Sequence, residues 1–136
     1  MAAGNARDDL LDKLSAALGP GGLKADPASR LVYSRDASHL ALGRPRAVAL
    51  PANGEALREV VRLCGAAQVP VVCRGTGTGL SGGAVPDSES LVLGTGRLTR
   101  LDEVDPVRRC VRVEPGVLND AVSLHAGPHG LHFAPD

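Results

Sequence analysis

The decapeptide Arg74-Gly75-Thr76-Gly77-Thr78-Gly79-Leu80-Ser81-Gly82-Gly83 concentrates glycine more than any other part of this chain. Glycine readily adopts positive φ, and a glycine-rich turn can point successive backbone N–H groups into one concavity that holds a phosphate. The apolar residues 69–73 predict a short buried strand, which places the loop at a strand end, where α/β proteins bind ligands. A flexible surface linker is disfavoured because ordered apolar segments lie before and after the loop.

Two common nucleotide-binding motifs do not fit this loop. Residues 77–82 satisfy the pattern G-x-G-x-x-G, but a dinucleotide fingerprint also needs a helix there and an acidic residue about 20 positions later. The sequence that follows, Gly83-Ala84-Val85-Pro86, disfavours a helix. A Walker A loop needs Gly-Lys-Ser/Thr, and both lysines of the chain, Lys13 and Lys24, lie far away in the sequence.

The composition predicts a single soluble domain. The 136 residues suffice for one hydrophobic core. Fifteen basic residues balance fifteen acidic ones, and Tyr33 and Phe133 are the only aromatic residues, so we expect no nucleic-acid partner. No apolar run approaches the roughly 18 residues that span a bilayer, and the acidic N-terminal region does not fit a signal peptide. We therefore expect no membrane insertion and a cytoplasmic location.

Apolar periodicity predicts alternating helices and strands in the first part of the chain. Leucines at helical spacing predict an N-terminal accessory helix over residues 10–18. A strand over 47–50, a helix capped by Asn53 and the strand over 69–73 predict a right-handed parallel β-α-β unit, with a further strand over 91–93. The residues expected on the buried face of the second helix are Leu57, Val60, Val61 and Cys64.

The last third of the chain predicts a hairpin and a helix. Asp105-Pro106 is a turn signal, so the segments on either side of it, within residues 98–113, should pair. Residues 117–126 predict a helix that ends at Gly127-Pro128. The residues expected on its inner face are Val117, Ala121, Val122 and Leu124.

Several side chains between these elements carry expectations of their own. Leu31 and Val32, within a loop-rich segment, should be tucked against the domain, and Cys64 and Cys73 should be small core residues. The three cysteines form no C-x-x-C pair, which disfavours a disulfide framework or a metal site. The helix-breaking Gly127-Pro128 separates the first of three neighbouring histidines from the other two, so no metal site is expected there. These histidines are His125, His129 and His132.

Six segments, taken together and in order, resemble one protein family. The segment over residues 69–86, VPVVCRGTGTGLSGGAVP, is similar to the pyrophosphate loop of FAD-linked oxidases of the vanillyl-alcohol oxidase type. Within that superfamily the chain looks most like the glycolate oxidase flavoprotein subunit and the D-lactate dehydrogenases. The other matching segments are YSRDAS over 33–38, PRAV over 45–48, VRVEPGV over 111–117, PHGL over 128–131 and APD over 134–136.

The resemblance implies a fold and a division of the chain. The expected fold class is α/β (α+β), the first lobe of a PCMH-type FAD-binding domain, with a small mostly parallel sheet, a β-α-β unit and flanking helices. An N-terminal helix and a loop-rich lead-in would occupy residues 1–40. The first part of the FAD-binding domain would occupy residues 41–136.

The resemblance also implies a set of FAD-binding residues. The backbone N–H groups of residues 75–79 would bind the pyrophosphate, with Ser81 and Gly82 completing the cradle. Arg74 would either neutralise phosphate or brace the loop from behind. Residues 115–117 resemble a second flavin-side loop, and Asp136 lies where the family approaches the isoalloxazine ring. The expected cofactor-binding residues are Arg74, Gly75, Thr76, Gly77, Thr78, Gly79, Ser81, Gly82, Pro115, Gly116, Val117 and Asp136.

Two residues depart from the family's pattern. Relatives that attach FAD covalently through this loop have a histidine at the position of Thr78, so threonine implies non-covalent FAD. Cys73 replaces a proline that is common before the arginine, which should relax the strand end without removing a phosphate donor.

The implied activity is oxidation of a small 2-hydroxy acid such as glycolate or D-lactate, with hydride transfer to the flavin. Electrons would continue to an acceptor such as an iron–sulfur subunit. Asp136 falls about halfway through the family's flavin domain, and the catalytic residues lie beyond it, so residues 1–136 alone should neither turn over nor hold FAD tightly. The alternatives are a non-catalytic phosphate- or nucleotide-binding module and an inactive truncated gene product.

Overall fold

The computed structural model describes residues 2–38 and 42–134, which fall into two compact units, one within residues 1–97 and one within 98–136. The first unit contains four strands and three helices. In chain order they are α1 (Ala2–Leu18), β1 (Leu23–Lys24), α2 (Pro27–Val32), β2 (Ala47–Ala49), α3 (Gly54–Ala66), β3 (Val71–Arg74) and β4 (Leu91–Gly94). The second unit contains α4 (Asn119–Ala126) and a short 3₁₀ turn (Gly127–His129).

The four strands form one small mixed sheet in the order β1-β2-β4-β3. Strand β4 is parallel to both of its neighbours, with Val92 opposite Val48 on β2 and opposite Val72 on β3, whereas β1 is antiparallel to β2. The unit β2-α3-β3 therefore brackets β4, which enters the sheet between the two strands that α3 connects. This arrangement confirms the α/β fold class with a small, mostly parallel sheet.

Helices α1 and α3 share the core with the sheet. Leu10, Leu14 and Leu18 of α1 are buried, with Leu14 fully so. They belong to one apolar cluster with the buried residues of β2, α3 and β4. The expected helix is confirmed, and it ends at Leu18, before Gly19, which has a φ of 68°. It contributes to the hydrophobic core and is therefore an integral part of the unit rather than an accessory. The expected division at residues 40 and 41 concerns the start of the FAD-binding domain and stays a prediction.

Helix α3 begins as its sequence predicts. The side chain of Asn53 accepts a hydrogen bond from the backbone N–H of Ala56, which caps the helix. Val60 and Cys64 are buried as expected, but the expectation for Val61 is wrong, because its side chain is 48% exposed. Leu63 takes the inward position instead, since residues at i+3 and i+4 from Val60 share its face and residue i+1 does not.

The segment before β2 differs from the expected loop. Asp26-Pro27 opens helix α2: the Asp26 carboxylate accepts from the N–H of Ser29, and Pro27 occupies the first turn, where it has no N–H to lose. Leu31 and Val32 are exposed, at 64% and 68%, so the expectation that they are tucked inward is wrong. The same short helix instead directs Arg30 inward, whose Nε donates to the carbonyl of Pro45 at 2.6 Å.

Strand β3 is an edge strand, and this reverses one expectation about its side chains. It pairs only with β4, so Val71 and Val72 are half-buried and Cys73 is exposed. The expectation that Cys73 is a core residue is therefore wrong, whereas Cys64 is buried as predicted. Alternation along the strand turns the next residue, Arg74, inward, where it is only 9% exposed.

The second unit begins with an antiparallel pair of segments. Bridges join Leu101 to Val113 and Asp105 to Cys110, which confirms the expected pairing, although the pairing is limited to isolated bridges. Helix α4 follows and buries Val122 and Ala126. The expectation that Ala121 and Leu124 face inward is wrong, because both are exposed, Leu124 at 82%. Across the ranges 2–38 and 42–134, no helix combines the length and apolarity that crossing a membrane requires.

Candidate functional site

The glycine loop leaves the carboxyl end of β3 and returns to the sheet at β4. Because the loop directly follows the last residue of β3, which is parallel to β4, it lies at the carboxyl edge of the sheet, as the sequence predicts. Most of the loop faces solvent: Gly75, Thr76, Thr78, Gly79 and Ser81 are exposed. The hydroxyl oxygens of Thr76 and Thr78 lie 3.4 Å apart on this exposed stretch. The loop therefore offers an accessible polar surface next to a rigid strand.

The backbone N–H groups of the loop are unused by the protein. Within the described ranges, no group accepts a hydrogen bond from any N–H of residues 75–83. The carbonyl groups are used differently, since Gly77 accepts from the N–H of Ala37 at 3.0 Å and Gly82 from that of Val85 at 3.1 Å. Consecutive free donors at a strand end suit an anionic ligand with many oxygen acceptors.

The loop glycines fall into two groups. Gly77 and Gly82 have φ values of 80° and 75°, a conformation that other residues rarely adopt. Gly75, Gly79 and Gly83 have no such φ, and a Cβ added to any of them would meet no protein atom within 4 Å. The fold itself does not require glycine at these three positions. Their open faces are the space that a closely approaching ligand would fill.

Arg74 lies on the protein side of the loop. Its Nη1 donates to the carbonyl of Arg35 at 2.6 Å, and its Cζ stands 5.4 Å from the centroid of the Tyr33 ring. A Cβ on Gly77 would overlap the guanidinium of Arg74. The sequence left two roles open for this arginine; these contacts are the ones expected of a brace behind the loop, and its role stays a prediction.

Residues 33–38 form a support for the loop that the sequence analysis did not identify as part of the site. Ala37 donates its N–H to Gly77, and the buried Asp36 accepts from the N–H of Ala84 at 3.4 Å. Asp36 also accepts from the hydroxyl and the N–H of Ser38, at 2.5 and 3.0 Å. The signal available in the sequence was Asp-x-Ser, because an aspartate often accepts from the backbone two residues later.

These hydrogen bonds favour the charged form of Asp36. The Ser38 hydroxyl, the Ser38 N–H and the Ala84 N–H together hold the pKa of Asp36 below its ordinary value, against the opposing effect of burial. The carboxylate is therefore ionised at neutral pH. It ties the segment before the loop to the residue after it.

The remaining predicted site residues belong to the second unit or fall outside the described residues. Pro115, Gly116 and Val117 belong to the second unit, where Gly116 donates its N–H to Leu98 and Val117 donates to Glu114. These three residues form the turn before α4, and their role at the flavin stays a prediction. Asp136 lies outside the described residues.

The histidines and cysteines form no metal site in the part of the chain that the structure describes. No three His, Cys, Asp or Glu side chains in residues 2–38 and 42–134 gather as ligands for one ion. The imidazole Nε2 of His125 lies 3.1 Å from the carbonyl of Asp102. Gly130, after the 3₁₀ turn, has a φ of 68°, which fits the expected need for backbone freedom in the Pro-His-Gly-Leu segment.

An accessible glycine loop with free N–H groups at the carboxyl edge of a parallel sheet is an arrangement with which α/β proteins hold phosphate groups. The sequence profile of a family described as "FAD binding domain" matches residues 45–136. The chain belongs to this family, and its cofactor is FAD.

The relatives that the chain resembles are named as an oxidase subunit and as dehydrogenases. Glycolate oxidase subunit GlcD of Escherichia coli (strain K12) is 44% identical over 93 residues, which cover 68% of this chain and 19% of the relative. D-2-hydroxyglutarate dehydrogenase of Xanthomonas citri pv. viticola is 39% identical over 84% of this chain and 24% of its own. D-lactate dehydrogenase of Archaeoglobus fulgidus is 41% identical over 65% and 20%. The chain thus spans about a fifth to a quarter of these relatives' length.

Solved structures confirm the fold. The 4-ethylphenol oxidase of Gulosibacter chungangensis superposes with a TM-score of 0.81 at 22% identity, over 94% of this chain and 25% of that one. A p-cresol methylhydroxylase gives a TM-score of 0.78 at 20% identity, over 93% and 25%. At these identities the likeness concerns the fold alone, which is the PCMH-type FAD-binding fold that the sequence predicts.

The residues of the loop fit the pyrophosphate of FAD. The unused N–H groups of residues 75–83 supply donors for phosphate oxygens, and the open faces of Gly75, Gly79 and Gly83 leave room for close approach. Neither feature has a use within the described protein. The direct role of individual loop residues in holding FAD is a proposal that the following substitutions test.

Gly77→Ala and Gly79→Ala should separate the two groups of glycines. Gly77→Ala is expected to lower both stability and FAD affinity, because a positive φ costs alanine about 1–2 kcal/mol and its Cβ overlaps the Arg74 guanidinium. Gly79→Ala should leave the unfolding temperature unchanged yet weaken FAD roughly tenfold or more, by obstructing one charge-assisted hydrogen bond. Thermal unfolding and flavin fluorescence titration, both on the full-length apoprotein, measure the two effects.

Gly65→Ala is the matched control, since Gly65 lies in α3 with no protein atom near its added Cβ. Alanine in a helix is favoured over glycine, so this variant should be equally or more stable and bind FAD normally. Normal FAD affinity in Gly79→Ala would contradict the assignment of the loop's open face to the cofactor.

Asp36→Asn should destabilise the protein in a pH-dependent way. Because the folded-state pKa of Asp36 is depressed, its stabilising contribution is complete above the unfolded-state pKa and is lost as the pH falls through the folded value. The difference in unfolding temperature between the natural protein and Asp36→Asn is therefore expected to be constant at neutral pH and to shrink below about pH 4. Thermal unfolding between pH 7 and pH 3 measures it.

Asp87→Asn provides the control for this effect. The pKa of Asp87 is also lowered, by hydrogen bonds from Ser90 and from the N–H of Glu89, but these two partners lie between the loop and β4. Asp87→Asn should share the acid dependence while leaving FAD affinity unchanged at pH 7. If the difference in unfolding temperature between the natural protein and Asp36→Asn stays constant down to pH 3, this carboxylate is not the group that titrates.

Proposed function

We propose that this protein is an FAD-dependent oxidoreductase that oxidises a small 2-hydroxy acid. The unused N–H groups of residues 75–83, in a chain that belongs to the FAD binding domain family, carry the proposal. Relatives named for glycolate, D-lactate and D-2-hydroxyglutarate support the substrate class, since all three compounds bear a hydroxyl on the carbon next to a carboxylate. Glycolate and D-lactate are the substrates we propose first.

The loop would hold the cofactor's two phosphates without a lysine. Each hydrogen bond from a backbone N–H to a charged oxygen is worth on the order of 1.5–3 kcal/mol. A few such bonds from residues 75–79, with the Ser81 hydroxyl and the Gly82 N–H, suffice to retain a doubly charged pyrophosphate. Thr76 and Thr78 add exposed hydroxyls on the same stretch.

When bound, FAD supplies the two-electron acceptor that oxidation of a hydroxyl-bearing carbon to a carbonyl requires. The part of the protein described here binds and orients the cofactor through its pyrophosphate. We nominate no catalytic residue within residues 1–136. We propose that the second loop, residues 115–117, and Asp136 lie on the flavin side of the complete site.

The attachment of the cofactor is proposed to be non-covalent. Thr78 stands where covalently flavinylated relatives carry a histidine, and a threonine hydroxyl does not form that bond to the flavin ring. Cys73 is exposed one residue before Arg74 and is not proposed as an attachment point. FAD would therefore dissociate when the protein unfolds.

A partner that accepts electrons is also proposed. The relative from Escherichia coli is named as a subunit of glycolate oxidase, which supports an assembly with a further subunit, and an iron–sulfur protein is the class we propose. A cytoplasmic location is part of the same proposal.

Anaerobic mixing with hydroxy acids tests the substrate class. The purified full-length protein should contain flavin, and its absorbance band should bleach on addition of glycolate, D-lactate or D-2-hydroxyglutarate, because reduction removes the oxidised chromophore. L-Lactate serves as the stereochemical control and D-alanine as the control without a hydroxyl. Flavin that dithionite reduces but none of the three acids bleaches would contradict the proposal and favour a non-catalytic nucleotide-binding module.

Acid precipitation tests the mode of attachment. Flavin is expected in the supernatant in full, because no residue of the loop is positioned in the sequence for covalent attachment. Absorbance of the supernatant and mass spectrometry of the peptide containing Thr78 measure this outcome. Flavin retained in the pellet on any residue from Arg74 to Gly83 would overturn it.

A further inference from the structure

We propose that Tyr33 and Arg74 form one positioning unit that sets the conformation of the glycine loop before FAD binds. The proposal rests on the proposed function, because it concerns the same pyrophosphate loop. It assigns Arg74 a role other than phosphate neutralisation, and it gives Tyr33, whose ring lies against the Arg74 guanidinium, a role in cofactor affinity.

The first observation is the position of the guanidinium beneath Gly77. A Cβ at Gly77 would overlap it, so the backbone of the loop rests directly on the arginine head group. The Gly77 carbonyl is held at the same place by the N–H of Ala37. Gly77 is thus pinned at a φ of 80° by a packed cation on one side and a hydrogen bond from residues 33–38 on the other.

The second observation is that Arg74 is itself fixed by two partners that face away from the loop's open side. Its Nη1 donates to the Arg35 carbonyl, and its Cζ lies over the Tyr33 ring at 5.4 Å from the centroid. Arg74 is 9% exposed, so little of it is available to solvent or to a ligand. An arginine held by a carbonyl and an aromatic ring can position the backbone of the loop, but it has few N–H groups left to donate to a ligand on the exposed side.

The third observation ties the aromatic ring to the sheet. A Cβ on Gly94 would come within 3.9 Å of Cε1 of Tyr33, so the ring lies beside the carboxyl end of β4. The N–H of Thr95 donates to the Arg74 carbonyl at 3.0 Å, which joins the two strand ends at this point. The ring, the guanidinium and Gly77 therefore form a continuous packed path from the central strand to the loop.

The chemistry of this path needs both a planar cation and an aromatic face. A guanidinium can stack on a ring while one of its N–H groups donates to a carbonyl, whereas a lysine ammonium is a compact, strongly hydrated charge on a flexible chain. Arg74→Lys keeps the positive charge but removes the planar group that stacks on the Tyr33 ring while donating to the Arg35 carbonyl. Tyr33→Phe keeps the aromatic ring. Tyr33→Leu removes the ring but leaves an apolar side chain in its place.

Limited proteolysis of the apoprotein tests the positioning directly. Leu80 is 75% exposed in the loop and is a cleavage site for chymotrypsin. Tyr33→Leu and Arg74→Lys should each be cleaved after Leu80 at least fivefold faster than the natural protein, with Tyr33→Phe close to natural. Mass spectrometry identifies the cleaved bond, so loosening of the loop is distinguished from global unfolding, in which sites throughout the core are cut.

FAD affinity, measured by fluorescence quenching on the full-length apoprotein, is the second readout. Tyr33→Leu and Arg74→Lys are each expected to weaken FAD roughly tenfold, and Tyr33→Phe to restore natural affinity. The double variant Tyr33→Leu/Arg74→Lys should be no weaker than the worse single variant, because both substitutions disable the same unit.

The outcomes separate this proposal from the proposed function. Natural affinity in Arg74→Lys together with natural affinity in Tyr33→Leu would show that Arg74 acts only as a charge and would overturn the positioning unit. Additive losses in the double variant would overturn it as well. If the full-length natural protein bound no FAD, the proposed function would fail, while faster cleavage after Leu80 in Tyr33→Leu and not in Tyr33→Phe would still support the positioning unit.

Discussion

The packing of the Arg74 guanidinium against Gly77 is the contact on which the candidate site depends. A cation inside a protein must be satisfied by partners, and here a carbonyl and an aromatic ring satisfy it. The loop can then rest on the cation only where a residue has no Cβ. One glycine thus meets a conformational need and a packing need at once, and it leaves the outward N–H groups free.

The sheet supplies the rigidity that this contact requires. Strand β4 is buried throughout and lies between β2 and β3. The glycine loop departs from β3, which is held by its pairing with β4, and the chain returns to the sheet at β4 itself. Helices α1 and α3 close the apolar side of this sheet. The stable core and the exposed loop are therefore adjacent, which lets an accessible site keep a defined backbone conformation.

Residues 33–38 connect the lead-in segment to the function of the loop. Asp36 bridges Ser38 and the N–H of Ala84, and Ala37 holds Gly77. The segment thus contributes carbonyl, N–H and carboxylate groups to the rear of the loop while the loop keeps its own donors for a ligand. Gly77 is glycine because of its φ of 80° and its packing on Arg74, whereas a Cβ at Gly79 would meet no protein atom. The binding role that we propose for the outer face of the loop supplies a reason for glycine at that second position.

The sequence by itself determined the fold class, the succession β2, α3, β3 and β4, and the Asn53 cap of α3. These features depend on the glycine spacing, on Asn53 and on the apolar runs. Each acts over only a few residues, so it can be predicted from the sequence without knowledge of the fold. The tertiary structure alone decided which of two neighbouring side chains turns inward. Cys73 is exposed and Arg74 is buried because β3 lies at the sheet edge, with β4 inserted beside it. The union of Tyr33, Arg74 and Gly77 likewise joins residues more than forty positions apart, and only the folding of the chain brings such residues into contact.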